Sequence, residues 1–571
     1  MRGTLILRAR ILSVFFILVG ALLVVRLYFV QIVHGKEYTK DATGQYTEVA
    51  PDTEARGDIY FTTKDGTLVA AAVMQSGWRI AITPKNIIDP ATVYTQLNAI
   101  VPIDRQKFVA SAAKTADPYE EVAFRVNDES AAQIRALKIP GVLLVHDEWR
   151  NYPAGGLAAQ AVGFVGYQGD KKVGVYGLEK GWNDTLLETA SGLYVNPFAE
   201  IFSNLEEVVT ADPSAHQGSI VTSIEPTVQA QLEQTLDDVM KTYTPNLAGG
   251  IIMDPHTGEI VAIGARPSFD PNTYNTVTDP AVFSNPLVEG RYELGSIMKP
   301  LTMASGIDAG AITENTTYDD TGCITRSGKK VCNFDFKARG VIPMQEILNQ
   351  SLNVGATFVA ETTGHTVFTS YIKKLDFGEK TGVDLPGEIP GNIAQLGEGK
   401  GPDVNYATAS FGQGISVTPL EMIRALATLA NNGTLPNPHV VTGIRFDNGI
   451  TRTIVATSGP QVYKPSTTAI LTNMLTEVYD KALLKGAIKQ EHYSIAAKTG
   501  TAQIAIPGQG YYTDRYLHSF FGYFPAHDPR FIIFLFAVNP HGQEYASATL
   551  ARPFIGIAQF MINYYDIPPD R

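Results

Sequence analysis

Cysteine and grouped metal-binding side chains are scarce in this chain. Its 571 residues include two cysteines, Cys323 and Cys332, too few for the disulfide framework that stabilises small secreted domains. No C-x-x-C and no H-E-x-x-H pattern occurs, so we expect no bound metal ion. The two cysteines form one local disulfide if they lie in an oxidising compartment and otherwise remain free thiols; the composition leaves both states open.

Positive charge is also in deficit. The chain has 45 lysines and arginines against 57 aspartates and glutamates, a formal net charge of -12, which argues against a nucleic-acid partner because such partners favour a basic face. The glycine-rich stretches Asn151–Ala159 and Gly163–Gly166 lack the Lys-Ser/Thr pair of a phosphate-binding loop, so we expect no cofactor there. With 44% hydrophobic and 18% charged residues, the composition is typical of a globular protein of more than one domain.

A long apolar run near the N-terminus determines the predicted location. Arg2, Arg8 and Arg10 precede the run Ile11–Val33, which is interrupted at Arg26. A membrane helix needs about 20 mostly apolar residues, so this run is long enough to span a bilayer. The alternatives are a buried helix and a cleaved signal peptide, but bulky residues follow the apolar core where cleavage requires small ones.

The arginine cluster before the run predicts the orientation, because basic residues stay on the cytoplasmic side. We therefore predict a single-pass protein of the inner (cytoplasmic) membrane. Residues 1–10 form a cytoplasmic tail, residues 11–33 form the transmembrane helix, and the bulk of the chain is extracytoplasmic (periplasmic).

The rest of the chain divides near a linker-like stretch, Thr210–Gly218. We predict a β-rich pedestal domain at 34–210 and a second domain at 211–571. In the second domain, strand patterns lie at both ends and helical patterns between them, which favours one sheet of about five antiparallel strands flanked by helices. The predicted fold class is multidomain α+β.

A serine and a lysine three residues apart form the first motif. Ser296 and Lys299 precede Pro300, and proline is tolerated in a helix only near its start. If a helix opens near Ser296, the Lys299 amine reaches the serine hydroxyl, since residues three apart share a helix face. The Ser296 N–H then lies at the positive end of the helix dipole, where it stabilises a developing oxyanion.

Two further short motifs follow in order. The first is Ser351-Leu352-Asn353, and the second is Lys498-Thr499-Gly500 within a strand pattern. Each motif alone is common by chance. Together and in this order, S-x-x-K, S-D-N and K-T-G are the set found in serine enzymes that react with penicillin. Here the middle motif is Ser-Leu-Asn, an S-x-N variation that is usual among penicillin-binding proteins.

With these motifs, the whole chain resembles the class B penicillin-binding proteins, which are monofunctional transpeptidases of division and elongation. The segments that carry the resemblance are the basic-then-apolar anchor through Arg26, the pedestal motifs Arg56–Ile59 and Gly177–Glu179, and the later Gly412–Gly414 with Thr418-Pro419. The resemblance implies a penicillin-binding transpeptidase domain of β-lactamase-like fold. No glycosyltransferase motif is evident after the anchor, which argues against the bifunctional class A.

The resemblance also implies roles for the motif residues. Ser296 would be the nucleophile that attacks a D-alanyl-D-alanine stem peptide of peptidoglycan, and Lys299 would be the base, kept partly neutral by burial and by Lys498. Ser351 would relay a proton to the leaving amine, and Asn353 would position Lys299 or the substrate backbone.

The remaining implied residues lie on the last motif. The strand edge Lys498–Thr501 would bind substrate by strand addition, with Thr499, Gly500 and Thr501 as substrate-binding residues. The backbone N–H groups of Thr501 and Ser296 would form the oxyanion hole.

Further expectations follow from the resemblance. The partners implied are β-lactams as covalent inhibitors (the chain as an antibiotic target), a membrane-embedded SEDS-type glycosyltransferase, and proteins of the divisome or elongasome. Cell-wall synthesis in cell division is favoured over a role in elongation and cell shape. The alternatives are a D,D-carboxypeptidase or β-lactamase with the same acyl-serine, and a catalytically silent penicillin-binding scaffold or sensor.

Overall fold

The computed structural model describes Leu18, Arg26 and the ranges 56–169, 171–187, 218–446, 450–455 and 457–571. The predicted tail and anchor therefore lie outside the described residues, apart from Leu18 and Arg26. In the part of the chain that is described, no helix is both long and apolar enough to cross a membrane. The described stretches from Arg56 onward pack as one compact unit.

Strands and helices alternate irregularly along this unit. The strands are β1 Ile59–Thr62, β2 Leu68–Ile82, β3 Glu120–Val126, β4 Val142–Asn151, β5 Val165–Gln168, β6 Lys171–Gly174, β7 Ser219–Thr222, β8 Leu247–Met253, β9 Ile260–Arg266, β10 Thr317–Asp320, β11 Cys323–Arg326, β12 Lys329–Cys332, β13 Gly340–Pro343, β14 Val441–Arg445, β15 Thr451–Thr453, β16 Ala496–Ile506, β17 Gly510–Phe524 and β18 Phe531–Val538. The α-helices are α1 Pro90–Asn98, α2 Arg105–Ala112, α3 Asp128–Leu137, α4 Ala159–Val162, α5 Gly177–Gly181, α6 Asn183–Leu186, α7 Pro226–Tyr243, α8 Pro286–Glu289, α9 Lys299–Asp308, α10 Met344–Asn349, α11 Asn353–Thr363, α12 His365–Lys374, α13 Asp403–Ala409, α14 Pro419–Ala430, α15 Pro465–Glu477, α16 Ala546–Thr549 and α17 Ala551–Tyr564.

A five-stranded sheet forms the centre of the C-terminal part. Its order is β16-β17-β18-β8-β9, and every neighbouring pair is antiparallel. The strands come from both ends of the region after residue 246, as the hydrophobic patterns predict. They form one sheet because β18 pairs with β8, although a long helical region separates these two strands in the sequence.

Helices cover both faces of this sheet. On one face, α7 packs across β8 and β9, and α17 packs on β17. Along α7, Val228, Leu232 and Leu236 are each no more than 1% exposed, because i, i+4 and i+8 residues share one side of a helix. On the other face lie α14 and α15, with α9 packed behind them against α11 and α15.

The pedestal motifs meet in a buried cluster of charges. Glu179 of α5 is fully buried and accepts hydrogen bonds from Arg56 Nε at 2.6 Å and Arg150 Nε at 2.7 Å. Arg56 also donates to the backbone carbonyl of Glu179 at 2.7 Å. The Arg56–Ile59 and Gly177–Glu179 segments, far apart in sequence, are thus joined by one carboxylate.

The pedestal sheet takes strands from three parts of the chain. Its order is β15-β14-β7-β1-β2-β3, with β4 on the other side of β2. Strand β7 pairs parallel with β1, and β14 pairs antiparallel with β7. Strands β7, β14 and β15 lie beyond residue 210, so this sheet connects the pedestal and the C-terminal region through backbone hydrogen bonds.

The stretch expected to be mainly helical also contains four short strands. Strand β10 pairs with β13, and β11 pairs with β12 to form a two-stranded ribbon. Cys323 and Cys332 are register partners at the open end of this ribbon and are joined by a disulfide. Strands of four residues are too short to produce a clear period-two pattern, which is why the sequence did not indicate them.

Candidate active site

Ser296 lies in a tight turn that leads directly into a helix. The 3₁₀ turn Gly295–Met298 precedes α9, so the helix start predicted from Pro300 is confirmed to within three residues. Gly295 has φ +67°, and a Cβ there would lie 2.9 Å from the Thr501 carbonyl carbon. Only glycine combines this backbone conformation with so close an approach, so the turn is held tightly against β16.

The Lys299 amine contacts both serines of the motifs. Its Nζ lies 2.9 Å from Ser296 Oγ, 3.1 Å from Ser351 Oγ and 2.5 Å from the Ser351 carbonyl oxygen. The side chain is 1% exposed. An amine held by three short contacts in a dry site has one position, and that position is within proton-transfer distance of the Ser296 hydroxyl.

Ser351 connects the two motif lysines. It lies between α10 and α11 with φ +57°, a left-handed conformation that is costly for serine. This backbone geometry presents both its carbonyl and its hydroxyl to Lys299. Lys498 Nζ donates to the same hydroxyl at 3.1 Å and to the Thr499 carbonyl at 3.0 Å.

Burial changes the protonation of both lysines. Loss of hydration, followed by repulsion from Lys498, lowers the pKa of Lys299 well below its ordinary value. Loss of hydration also lowers the pKa of Lys498 to about 7. A lysine that is neutral near pH 7 has a lone pair available to accept a proton, which an ordinary surface lysine lacks.

Asn353 occupies the start of α11 beside the disulfide-linked ribbon. Its amide nitrogen donates to the Cys332 carbonyl at 2.9 Å, and the next backbone N–H, that of Val354, donates to the Asn333 side chain at 3.1 Å. Among the hydrogen bonds of the described residues, none joins Asn353 to Lys299. The amide expected to position Lys299 or the substrate backbone contacts the ribbon in this structure, and its contact with substrate stays a prediction.

The K-T-G motif lies on β16, the outermost strand of the five-stranded sheet as described. Gly500 is in close contact with its neighbours, since a Cβ there would lie 2.3 Å from Ser519 Oγ and 2.7 Å from the Leu294 carbonyl oxygen. Thr501 Oγ accepts a hydrogen bond from the Ala546 N–H at 3.1 Å. This bond leaves the Thr501 hydroxyl proton free to be donated elsewhere.

Sequence reasoning missed two polar residues on β17, opposite the motif in the register of β16 and β17. His518 and Ser519 of β17 are fully buried, and Ser519 Oγ donates to the Leu294 carbonyl at 2.7 Å. The signal was available, because His-Ser interrupts the otherwise apolar run Leu517–Phe524.

Metal chemistry receives no support from the described residues. Within them, no group of three or more His, Cys, Asp or Glu side chains is arranged to hold a metal ion. The arrangement of Ser296 and Lys299 suits a serine nucleophile with an amine base.

Two known protein families match the chain. The penicillin binding protein transpeptidase domain matches residues 248–556, and the penicillin-binding protein dimerisation domain matches residues 51–197. The first match covers more than half of the chain and includes Ser296, Ser351 and Lys498.

Relatives and solved structures agree with these matches. Stage V sporulation protein D of Bacillus subtilis (strain 168) is 29% identical, with 96% of this chain and 84% of that protein covered. Peptidoglycan D,D-transpeptidase FtsI of Escherichia coli (strain K12) is 26% identical over 96% of this chain and 90% of that protein. The crystal structure of penicillin binding protein 2X from Streptococcus thermophilus has the same fold, with TM-score 0.71, 21% identity, and 90% of this chain and 80% of that chain covered. The chain therefore belongs to the class B penicillin-binding proteins, the peptidoglycan D,D-transpeptidases with a dimerisation domain ahead of the transpeptidase domain.

Proposed function

We propose that this transpeptidase works through an acyl-serine intermediate on Ser296, with Lys299 as its base. The observation that carries the proposal is the geometry of the Lys299 amine, 2.9 Å from Ser296 Oγ and buried beside Ser351. A neutral amine has two N–H donors and one lone pair. The two donors serve the carbonyl and hydroxyl oxygens of Ser351, and the lone pair faces the Ser296 hydroxyl.

In the first half-reaction, Lys299 accepts the Ser296 proton as Oγ attacks the penultimate D-alanine carbonyl of a stem peptide. The developing oxyanion is stabilised by the N–H groups of Ser296 and Thr501. The peptide C–N bond then breaks. Ser351 gives its hydroxyl proton to the departing amine of the terminal D-alanine and is reprotonated by Lys299.

In the second half-reaction, an amine of a neighbouring stem peptide attacks the acyl-serine carbonyl. Its proton returns to Ser296 Oγ by way of Ser351 and Lys299, and the Oγ–C bond breaks. The product is a peptide cross-link, and the residues return to their starting protonation states.

Substrate binding is assigned to the exposed edge of β16. A stem peptide would add as a further strand, since an outermost strand presents unpaired backbone donors and acceptors. The hydroxyls of Thr499 and Thr501 and the cation of Lys498 suit the terminal carboxylate, while Gly500 allows close approach. Asn353 supports the site through the Cys332 carbonyl.

The cellular role, the boundaries and the location are proposals of the same kind. The proposed boundaries are a tail at residues 1–10, a single membrane-spanning anchor at 11–33, a pedestal at 34–210 and a transpeptidase domain at 211–571. The resemblance of the anchor and compact pedestal to septal members favours division over elongation. A SEDS-type glycosyltransferase is the proposed membrane partner.

The same geometry argues against one rival activity and is shared by the others. A silent scaffold would have no need for two buried lysines around one hydroxyl, a costly arrangement that supports catalysis. A carboxypeptidase or β-lactamase would share the acyl-serine and differ only in admitting water for the second step.

The test is covalent labelling of the full chain, purified in detergent, with a fluorescent penicillin. We expect a stable labelled band on a denaturing gel that is absent from Ser296→Ala. Loss of the label only over hours supports a transpeptidase, whereas loss within seconds to minutes supports a β-lactamase. A folded wild-type chain that takes no label would contradict the acyl-serine proposal.

A further inference from the structure

Two consecutive buried side chains of β17 contact two parts of the site, the turn that carries Ser296 and the segment that contacts Thr501. His518 and Ser519 are both 0% exposed and lie opposite Thr501 and Gly500 in the register of β16 and β17. Successive residues of a strand point to opposite faces of the sheet. One side chain therefore reaches the nucleophile turn and the other reaches the opposite face.

Ser519 reaches the nucleophile turn. Its Oγ donates to the Leu294 carbonyl at 2.7 Å, immediately before Gly295 and Ser296. The absence of a side chain at Gly500 makes room for this contact, since a Cβ there would lie 2.3 Å from Ser519 Oγ. The position of the Ser296 N–H is thus tied to β17 by one buried hydrogen bond.

His518 reaches the segment that contacts Thr501. Its Nε2 lies 3.0 Å from the Glu544 carbonyl and its Nδ1 lies 2.9 Å from Thr549 Oγ. A carbonyl only accepts, so Nε2 carries the proton and Nδ1 accepts from the threonine hydroxyl. The segment held between these bonds includes Ala546, whose N–H donates to Thr501 Oγ.

The imidazole keeps this bonding pattern at neutral pH. Burial lowers the pKa of His518 to about 4, so the ring is neutral and has one donor and one acceptor nitrogen. That pair matches the two groups it meets, a carbonyl and a hydroxyl. Neither His518 nor Ser519 has a role in the proton transfers described above.

We propose that Ser519 and His518 are positioning residues for the oxyanion hole, Ser519 for the nucleophile turn that carries Ser296 and His518 for Thr501. Strand β17 then acts as a common template, because adjacent residues on it fix the two N–H groups that must point at one oxygen. The inference rests on the proposed acyl-serine function and concerns only how its two donors are aligned.

The test measures acylation of the full chain by a fluorescent penicillin, resolved into the dissociation constant of the initial complex and the rate constant of the covalent step. The variants are Ser519→Ala, His518→Phe and His518→Gln, whose amide keeps a donor for the Glu544 carbonyl. Ser494→Ala is the matched control, since Ser494 is also buried and accepts the Ala526 N–H at 3.0 Å. Unfolding temperatures are measured for all four.

We expect Ser519→Ala and His518→Phe to slow the covalent step by up to about 100-fold, the effect of displacing reacting groups by about 1 Å. The dissociation constant should stay unchanged, and His518→Gln should recover much of the rate. Ser494→Ala should lower the unfolding temperature without changing the covalent step.

Each residue is judged by its own variants. A folded Ser519→Ala with a wild-type covalent step overturns the role of Ser519, and a folded His518→Phe with a wild-type covalent step overturns that of His518. If His518→Phe does not fold, Thr549→Val removes the hydroxyl that bonds to Nδ1. A slower covalent step in folded Thr549→Val then supports positioning, and a wild-type covalent step overturns it. Labelling of Ser296→Ala would instead refute the acyl-serine function, independently of these variants.

Discussion

Lys299 and Lys498 are needed for the proposed function, and burial of their amines destabilises the folded state when the amines are charged. They are 1% and 2% exposed, and the described residues provide neither with a carboxylate partner within salt-bridge distance. Serine hydroxyls and carbonyls satisfy their hydrogen bonds but do not neutralise a charge. Burial therefore favours the neutral amine, and at Lys299 this is the form that a base requires.

This destabilisation predicts a pH-dependent gain in stability for Lys498→Met. The folded-state pKa of Lys498 is about 7, below its value of about 10.4 in an unfolded chain, so the unfolded state binds more protons between these values. The destabilisation of the folded state by the buried Lys498 charge is fully present below pH 7 and disappears as the pH rises towards about 10.4. We expect thermal unfolding to show Lys498→Met more stable than wild type at pH 6, with a gap that shrinks by pH 10; a constant gap would contradict the shifted pKa.

Lys299→Arg tests the base itself. An arginine keeps the charge and much of the length but cannot be neutral near pH 7. We expect the covalent step with a fluorescent penicillin to slow by about 100- to 10,000-fold, the usual contribution of a general base. Lys172→Arg, in the pedestal, is the control and should acylate normally. A rate within a factor of a few of wild type would assign the base to another group.

At the scale of elements, glycine contacts determine how closely the nucleophile turn approaches β16. Gly500→Ala should displace the strand, because its Cβ would meet Ser519 Oγ and the Leu294 carbonyl. We expect a large loss of acylation together with a lower unfolding temperature. Gly556→Ala, in α17 with nothing within 4 Å of the added Cβ, is the control and should be neutral or stabilising by about 0.5–1 kcal/mol. Normal acylation by Gly500→Ala would show that this contact is not required.

The disulfide-linked ribbon and α11 form the second element whose packing supports the site. Asn333 is 1% exposed and donates to both carboxylate oxygens of Asp320 at 2.9 Å, while its own oxygen accepts the Val354 N–H. Asn333→Ala would leave a buried carboxylate without its amide donor. We expect a loss of about 1.5–3 kcal/mol in the free energy of unfolding by denaturant titration.

Asn349→Ala provides the comparison for Asn333→Ala. Asn349 is only half-buried and donates to Glu346 and Glu477 at 3.0 and 3.3 Å. We expect a smaller loss there, because water can replace the missing amide. Equal losses in the two variants would mean that the Asn333 network contributes nothing specific.

For the whole molecule, the charge cluster of Arg56, Arg150 and Glu179 holds the pedestal motifs together. Glu179→Gln would leave two buried guanidinium groups without a counter-ion, and breaking a buried pair costs about 3–5 kcal/mol. Glu121→Gln removes a half-exposed partner of Arg79 and should cost about 0–1 kcal/mol. Urea unfolding of both variants tests the difference. Acylation per folded molecule should be unaffected by either change, since the cluster has no contact with the site.

Much of the fold was predictable from local patterns. The start of α7 at Pro226, the β17–β18 hairpin and the position of Lys498 within a strand all follow from periods and turn residues that act over a few positions. The short strands β10–β13 and the pairing of β7 with β1 and β14 were not predictable. Their stability comes from partners distant in sequence, and no local pattern identifies a partner.

The sequence by itself determined the contact between Ser296 and Lys299, because one turn of helix fixes the distance between residues three apart. It also determined the family, since three motifs in order are specific where each alone is not. Only the tertiary structure decided that Ser351 receives both lysines, one from 52 and one from 147 positions away. It alone decided that Asn353 donates to the Cys332 carbonyl and that His518 and Ser519 lie opposite the K-T-G strand in the sheet. Contacts of that range depend on how sheets and helices pack, and packing is a property of the whole core rather than of any short segment.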